Sequence, residues 1–194
     1  MQNKNSYLHT TGWLRSLEAG KPIDKEGNPI PWINYPMIRF LEERLTDDLN
    51  VFEFGSGYST LFYAEKVKSI TSLEYDKNWF ELIKSMVPKN AQLIYKKKDR
   101  DGEYCRAIHL ANKKYDVIII DGRDRVNCIK QSFSALSLQG VIILDDSQRE
   151  WYKEGIVLVN EKGFRILNIE GLKPHGTDTD RTAIFYRDDN CLGI

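Results

Sequence analysis

Apolar residues along this chain fall into short runs, and between most of the runs the spacing changes to that of a helix. From Asn50 onward the strand candidates are NVFEF, SITSLE, AQLIY, YDVIIID, GVIILDD, FRILNI and TAIFY. Val117 to Ile120 is a stretch of consecutive β-branched residues that needs cover on both faces, the pattern of a central parallel strand. Helical spacing runs from Ser59 to about Lys68, from Lys77 to Val87 ahead of Pro88, and from Asp124 to about Leu138, where Val126, Ile129, Phe133 and Leu136 share one face. Shorter helices are expected over Arg106 to Lys113 and Arg149 to Glu161. Alternation of this kind predicts right-handed βαβ units and an α/β, Rossmann-like, doubly wound sheet of seven strands.

The last connection departs from that rule. EGLKPHGTDTDR, from Glu170 to Arg181, holds two glycines and a proline and has no apolar periodicity, so no crossover helix is expected there. The seventh strand should therefore return antiparallel to a mainly parallel sheet. Before the sheet, residues 1 to 34 are punctuated by Gly and Pro and read as an extended arm. Pro36 then opens a helix whose Met37, Ile38, Leu41 and Leu45 recur at helical spacing. Residues 1–48 are thus an arm and helix, and 49–194 the α/β core, of one domain.

Composition narrows the class. At 194 residues and 41% hydrophobic, the chain can bury a sizeable core. Lys plus Arg and Asp plus Glu both number 28, so no global field draws it to nucleic acid or an anionic membrane. The one basic cluster, Lys96 to Lys98 with Arg100, reads as a solvated loop. Cys105, Cys128 and Cys191 are widely spaced and lack a CxxC pair, which with the absence of an apolar leader leads us to expect a reducing, cytoplasmic setting. A small-molecule substrate is the expected partner; the oligomeric state is left open.

The candidate chemistry sits at the carboxyl ends of the strands, where open α/β sheets bind ligands. Gly55 and Gly57 follow the first strand and precede a helix that Ser59 or Thr60 can cap, so a ligand can approach the backbone and the first helical amides. Glu74 closes the second strand 19 positions after Gly55, near the spacing of a ribose-binding carboxylate. Thr60 stands where a dinucleotide fingerprint needs its third glycine, which disfavours a nicotinamide cofactor. The plain alternative is a tight turn beside an exposed strand end.

EFGSG, Glu74, the YDVIIIDG strand and the reversed last strand together resemble the class I S-adenosylmethionine-dependent methyltransferases over Asn50 to Arg187. The whole chain looks most like small bacterial proteins of this fold without assigned substrates. The resemblance implies that Gly55, Ser56 and Gly57 line the methionine half of S-adenosylmethionine, that Glu53 helps fix its amino group, and that Glu74 takes the ribose hydroxyls. An adenine-contacting acid is expected after the third strand, where Asp99 stands behind three lysines. Tyr58 adjoins the same turn.

The acidic edge is similar to that of the metal-dependent catechol-type O-methyltransferases, which use an Asp after the fourth strand and an Asp-Asn pair after the fifth. Asp121, Asp145 and Asp146 match those positions, with Asp146 in place of Asn. The resemblance implies a site for Mg²⁺, and a third carboxylate there must hold either a cation or a proton. The alternative is that Asp145 and Asp146 cap a helix. Asp121 is a candidate base, and His175, on the loop after the sixth strand, a second. Arg123 and Arg125 either select an anionic substrate or pair with Asp121, Asp124 or Asp146. Trp13, Trp32 and Tyr35 either fold over the cofactor as a lid, with Trp32 also meeting the substrate, or pack on the sheet. The expected function is methyl transfer to an oxygen or nitrogen of a small, anionic-leaning molecule. The alternatives are a non-catalytic interaction domain on the same fold and an aminopropyl transferase.

Overall fold

A computed structural model describes residues 3–194. In chain order the elements are α1 (Tyr7–Thr10), α2 (Trp13–Ala19), α3 (Tyr35–Arg44), β1 (Asn50–Phe54), α4 (Tyr58–Ala64), β2 (Ser69–Glu74), α5 (Lys77–Lys84), β3 (Ala91–Tyr95), α6 (Glu103–Arg106), β4 (Tyr115–Ile120), α7 (Arg125–Ala135), β5 (Leu136–Leu144), α8 (Lys153–Glu161), β6 (Arg165–Leu172) and β7 (Thr179–Tyr186). They form a seven-stranded sheet in the order β3-β2-β1-β4-β5-β7-β6. β7 runs antiparallel to both β5 and β6, and every other pairing is parallel. This is the mainly parallel sheet with a reversed last strand that the Gly- and Pro-rich connection predicts.

Strand periodicity explains the two-sided core. On β4, Val117 and Ile119 pack with Met37, Ile38 and Leu41 of α3 and Phe62 and Tyr63 of α4. Ile118 and Ile120 point the other way, into Tyr104 and Cys105 of α6, Cys128 and Ile129 of α7 and Val159 of α8. All four β4 residues are essentially inaccessible, and burying each side chain contributes about 1.5–3 kcal/mol. β4 is therefore a fixed rail, and whatever follows Ile120 is held in place at the carboxyl edge.

The arm is not extended as its composition suggests. Gly12 and Gly20, at φ +83° and +63°, bracket α2. Ser16 fastens the chain that follows, its hydroxyl donating to the Ile23 carbonyl at 2.6 Å and accepting from the Ile23 amide at 3.0 Å. A Cβ on Gly12 would stand 2.4 Å from the Asp24 carbonyl carbon, so only glycine permits this return. Ile23, Ile30 and Ile33 are then buried.

Other boundaries shift for local reasons. α4, α5 and α7 stop before the ends read from periodicity, and Leu136 and Leu138 belong to β5, which begins directly after α7. Leu136 pairs with Tyr115, and a register shift before Val117 absorbs the offset. The Arg106 to Lys113 segment holds only the end of α6 and a 3₁₀ turn at Ala107–His109, and a 3₁₀ turn at Glu150–Tyr152 precedes α8. The three cysteines are free thiols. Among the described residues no helix is long and apolar enough to cross a membrane.

Candidate active site

The first strand ends in a turn that no side chain could share. Gly55 has φ +111°, and its amide donates to the Leu73 carbonyl at 2.9 Å. A Cβ on Gly122 would lie 2.1 Å from the Tyr104 hydroxyl and 3.0 Å from the Gly55 nitrogen, so β1 and β4 close on each other here through bare backbone. Ser56 donates to one Glu74 oxygen at 2.7 Å, while the other accepts from the Tyr75 and Asp76 amides, each at 2.8 Å. Glu74 is thus oriented by three donors at the end of β2, with an edge on a cavity of about 580 Å³.

Glu53 lies beneath the same turn. It accepts from the Thr60 hydroxyl at 2.6 Å, from Ser72 at 2.7 Å and from Ser59. Burial pushes its pKa up to about 7, against the three hydroxyl donors and helped by the charge of Glu74. Trp79 of α5 closes the outer wall, its indole donating to the Ser56 carbonyl at 2.9 Å. Arg123 lines the cavity opposite, with its guanidinium 4.9 Å from the Tyr75 ring centre and donating to the Tyr75 hydroxyl at 2.7 Å. It makes no ion pair with a described carboxylate, so the pairing of Arg123 with Asp121 is not formed.

The acidic edge assembles, but with its own cations. Asp121, Asp145 and Asp146 each offer an oxygen within 4.8 Å of the others. Between them, however, comes Lys173 from the β6–β7 loop, 2.8 Å from Asp145, 2.7 Å from Asp146 and 2.8 Å from Asp180. Arg125 pairs with Asp121 at 2.9 Å and with Asp146 at 3.3 Å, and Arg149 with Asp146 at 2.9 Å. The second Asp145 oxygen accepts from Thr182 at 2.8 Å. A hard divalent cation needs these same oxygens. The residues therefore do not fit Mg²⁺: an ammonium and two guanidinium groups already occupy the electrostatic role it would have. Burial disfavours the charge on Lys173, yet its three acids outweigh that and hold its pKa above the ordinary lysine value. Asp121 and Asp146 are raised, by burial first and then by Asp145, with Arg125 and Lys173 opposing.

Other predicted residues have different surroundings. Arg125 is only 8% exposed and also donates to the Gly122, Asp121 and Asp145 carbonyls, tying the ends of β4 and β5 together. It is Asp121's partner and offers no free fork to a substrate. Asp99 does not line the cavity; its oxygens accept from the Glu103 and Tyr104 amides at 2.7 and 3.1 Å, which starts α6. His175 is exposed and meets the edge of Trp32 at 6.0 Å between ring centres, and it lines neither the main cavity nor the one beside it. Tyr35 is core, and Trp13 donates to the Gly176 carbonyl at 2.7 Å. Trp32 and Tyr58 line the adjoining cavity.

Lys173, Arg149 and Trp79 were not foreseen. Lys173 had a legible signal, because a hairpin joining β6 to a reversed β7 must turn at the carboxyl edge beside β5. A lone Trp or Arg in a helix or loop carries no such signal.

No family model and no curated protein matches the sequence. Solved structures share the fold. The precorrin-6y C5,15-methyltransferase of Geobacter metallireducens is 16% identical, with a TM-score of 0.60 over 88% of this chain and 96% of that one. The O-methyltransferase TomG of Streptomyces achromogenes, involved in tomaymycin synthesis and solved with S-adenosylmethionine, is 14% identical, with a TM-score of 0.60 over 96% and 92%. Aeropyrum pernix fibrillarin, with natively bound S-adenosyl-L-methionine, is 14% identical, with a TM-score of 0.56 over 73% and 68%. The likeness is one of fold: this chain has the architecture of the S-adenosylmethionine-dependent methyltransferases.

Proposed function

We propose that the chain is an S-adenosylmethionine-dependent methyltransferase acting on an oxygen or nitrogen of a small molecule. The observation that carries this reading is the hydrogen bond from Ser56, in the glycine turn, to Glu74, which sets an oriented carboxylate beside Gly55 and Ser56 on one cavity of the right fold. S-adenosylmethionine, when bound, supplies an activated methyl group. The chain's part is to hold and exclude water. Glu74 would accept from the ribose hydroxyls, Glu53 would meet the amino group, and Trp79 would cover the amino-acid half. Asp121, with its pKa raised, is suited to accept the acceptor's proton, and Arg125 steadies its carboxylate before that transfer.

No step runs through a metal. The acidic edge also weakens the aminopropyl alternative, since carboxylates already engaged by Lys173, Arg125 and Arg149 leave little for a polyamine. Asp121→Asn should lower methyl transfer to a panel of hydroxyl and amine acceptors by ~100-fold or more, the scale of a lost general base, with S-adenosylhomocysteine binding unchanged. Undiminished turnover in that variant would remove Asp121 from the chemistry.

Glu53 gives a pH signature. Its folded pKa of about 7 lies above its ordinary 4.5, so it favours the folded state most at low pH and loses that contribution as pH rises through 7. Binding of a ligand ammonium runs the opposite way, because it needs the ionised form. S-adenosylhomocysteine affinity should rise ~10-fold from pH 6 to pH 8 in calorimetry, and Glu53→Gln should flatten the profile. A wild-type profile already flat would detach Glu53 from the amino group.

A further inference from the structure

Beside the cavity that Glu74 lines is another, of about 440 Å³, whose walls differ in origin and chemistry. One wall is the arm, through Lys21, Pro22 and Trp32; the other is the first turns of α4 and α5, through Tyr58 and Trp79. Asp121 belongs to the lining of both cavities, which also share Ser56, Ser59 and Trp79. The arm wall is built in place. Ser16 binds both polar groups of Ile23, and Asn34 reaches Thr182 at 3.0 Å and the Ile169 carbonyl at 3.1 Å.

Two tryptophans that edge this cavity are left unusually open, Trp32 at 47% and Trp79 at 36% exposure. Indole faces around a pocket favour a flat apolar body, and Tyr58 adds a third ring. Among the described residues Lys21 is the only cation lining this cavity. Its ammonium lies 5.7 Å from the Tyr58 ring centre, and it makes no ion pair with a described carboxylate. By contrast, Arg125 and Lys173 at the strand ends are engaged by acids, and Arg123, which also makes no ion pair with a described carboxylate, lines the other cavity and not this one.

We infer that this cavity holds the methyl acceptor, and that the acceptor is a planar, aromatic molecule carrying an anionic group toward Lys21 and its reacting hydroxyl or amine toward Asp121. The inference rests on the methyltransferase reading and adds the substrate class to it. It also moves anion selection from Arg123 and Arg125 to a residue of the arm. The acceptor's O–H or N–H proton passes to Asp121, the freed lone pair bonds to the methyl carbon, and the carbon–sulfur bond electrons leave with the thioether.

The test uses the full chain saturated with S-adenosylhomocysteine and follows the tryptophan indole signals by ¹⁵N NMR, with Trp32 assigned through Trp32→Phe. Probes are 4-hydroxybenzoate, phenol and tyramine. The expected result is that all three move the Trp32 signal, that 4-hydroxybenzoate binds at least 5-fold more tightly than phenol and more tightly still than tyramine, and that Lys21→Met removes the preference. Equal binding of the acid and phenol, a preference that survives Lys21→Met, or no movement of Trp32 overturns the inference. Loss of S-adenosylhomocysteine affinity in Lys21→Met would also overturn it, by assigning the cavity to the cofactor. Failure of S-adenosylhomocysteine to bind the wild type is a separate result, against the methyltransferase reading itself.

Discussion

Replacing Lys173 by methionine is expected to lower the melting temperature by ~6–12 °C. The Lys173 side chain is 13% exposed and its ammonium contacts Asp145, Asp146 and Asp180, while the side chains of Asp145 and Asp146 are only 1% and 5% exposed. Removing one partner of a buried ionic cluster leaves the others uncompensated, at a cost of about 3 kcal/mol or more, and a domain of this size loses roughly 2–4 °C per kcal/mol. Arg125 and Arg149 remain on Asp146, which places the expectation at the lower end. The deficit should shrink as pH falls. Asp121 and Asp146 already have raised pKa values, so in the variant they take up protons more readily when folded than unfolded. Millimolar Mn²⁺ should restore part of the lost stability in Lys173→Met and leave the wild type unmoved, because only the variant frees oxygens for a hard cation. An unchanged melting temperature would mean that the acidic edge does not depend on its ammonium.

The second large effect concerns Glu74. Its oxygens accept from Ser56, Tyr75 and Asp76, so the carboxylate cannot turn away from the cavity without losing three hydrogen bonds. If it accepts from two ribose hydroxyls, Glu74→Ala removes two charge-assisted bonds, together worth about 3 kcal/mol, and S-adenosylhomocysteine should bind ~100-fold more weakly. Glu74→Gln keeps one acceptor and should fall between. Wild-type affinity in Glu74→Ala, measured by calorimetry on a variant with native circular dichroism, would break the ribose assignment.

These two residues mark how far the sequence could be read. Glu74 was visible because a fixed spacing separates it from Gly55 whenever two strands bracket one helix. Asp121, Asp145 and Asp146 were visible because each ends an apolar run whose direction the alternation sets. Lys173 is absent from the sequence reading, although the sheet order brings it to the same edge; the resemblance to metal-dependent O-methyltransferases implies a metal among the acids, and only the contacts show that an ammonium stands there. Arg125 illustrates the same limit. The sequence allowed it to clamp a substrate or to pair with acids, and burial at 8% decides for the second. The arm departs from its sequence pattern for a different reason: its helix α2 depends on Gly12 and Ser16 meeting residues 23 and 24, a contact that no periodicity announces. Asp99 followed an expectation carried over from the resemblance, but local geometry uses it to start α6.

The cavity lined by Gly55, Ser56 and Glu74 is proposed to bind S-adenosylmethionine and its product. Titration calorimetry of the wild-type chain with S-adenosylhomocysteine tests it most directly. The expected result is saturable binding at one site per chain, accompanied at 100 times the dissociation constant by about 2.7 kcal/mol of added stability, a melting shift of roughly 5–11 °C. No heat of binding and no melting shift at millimolar ligand would contradict it.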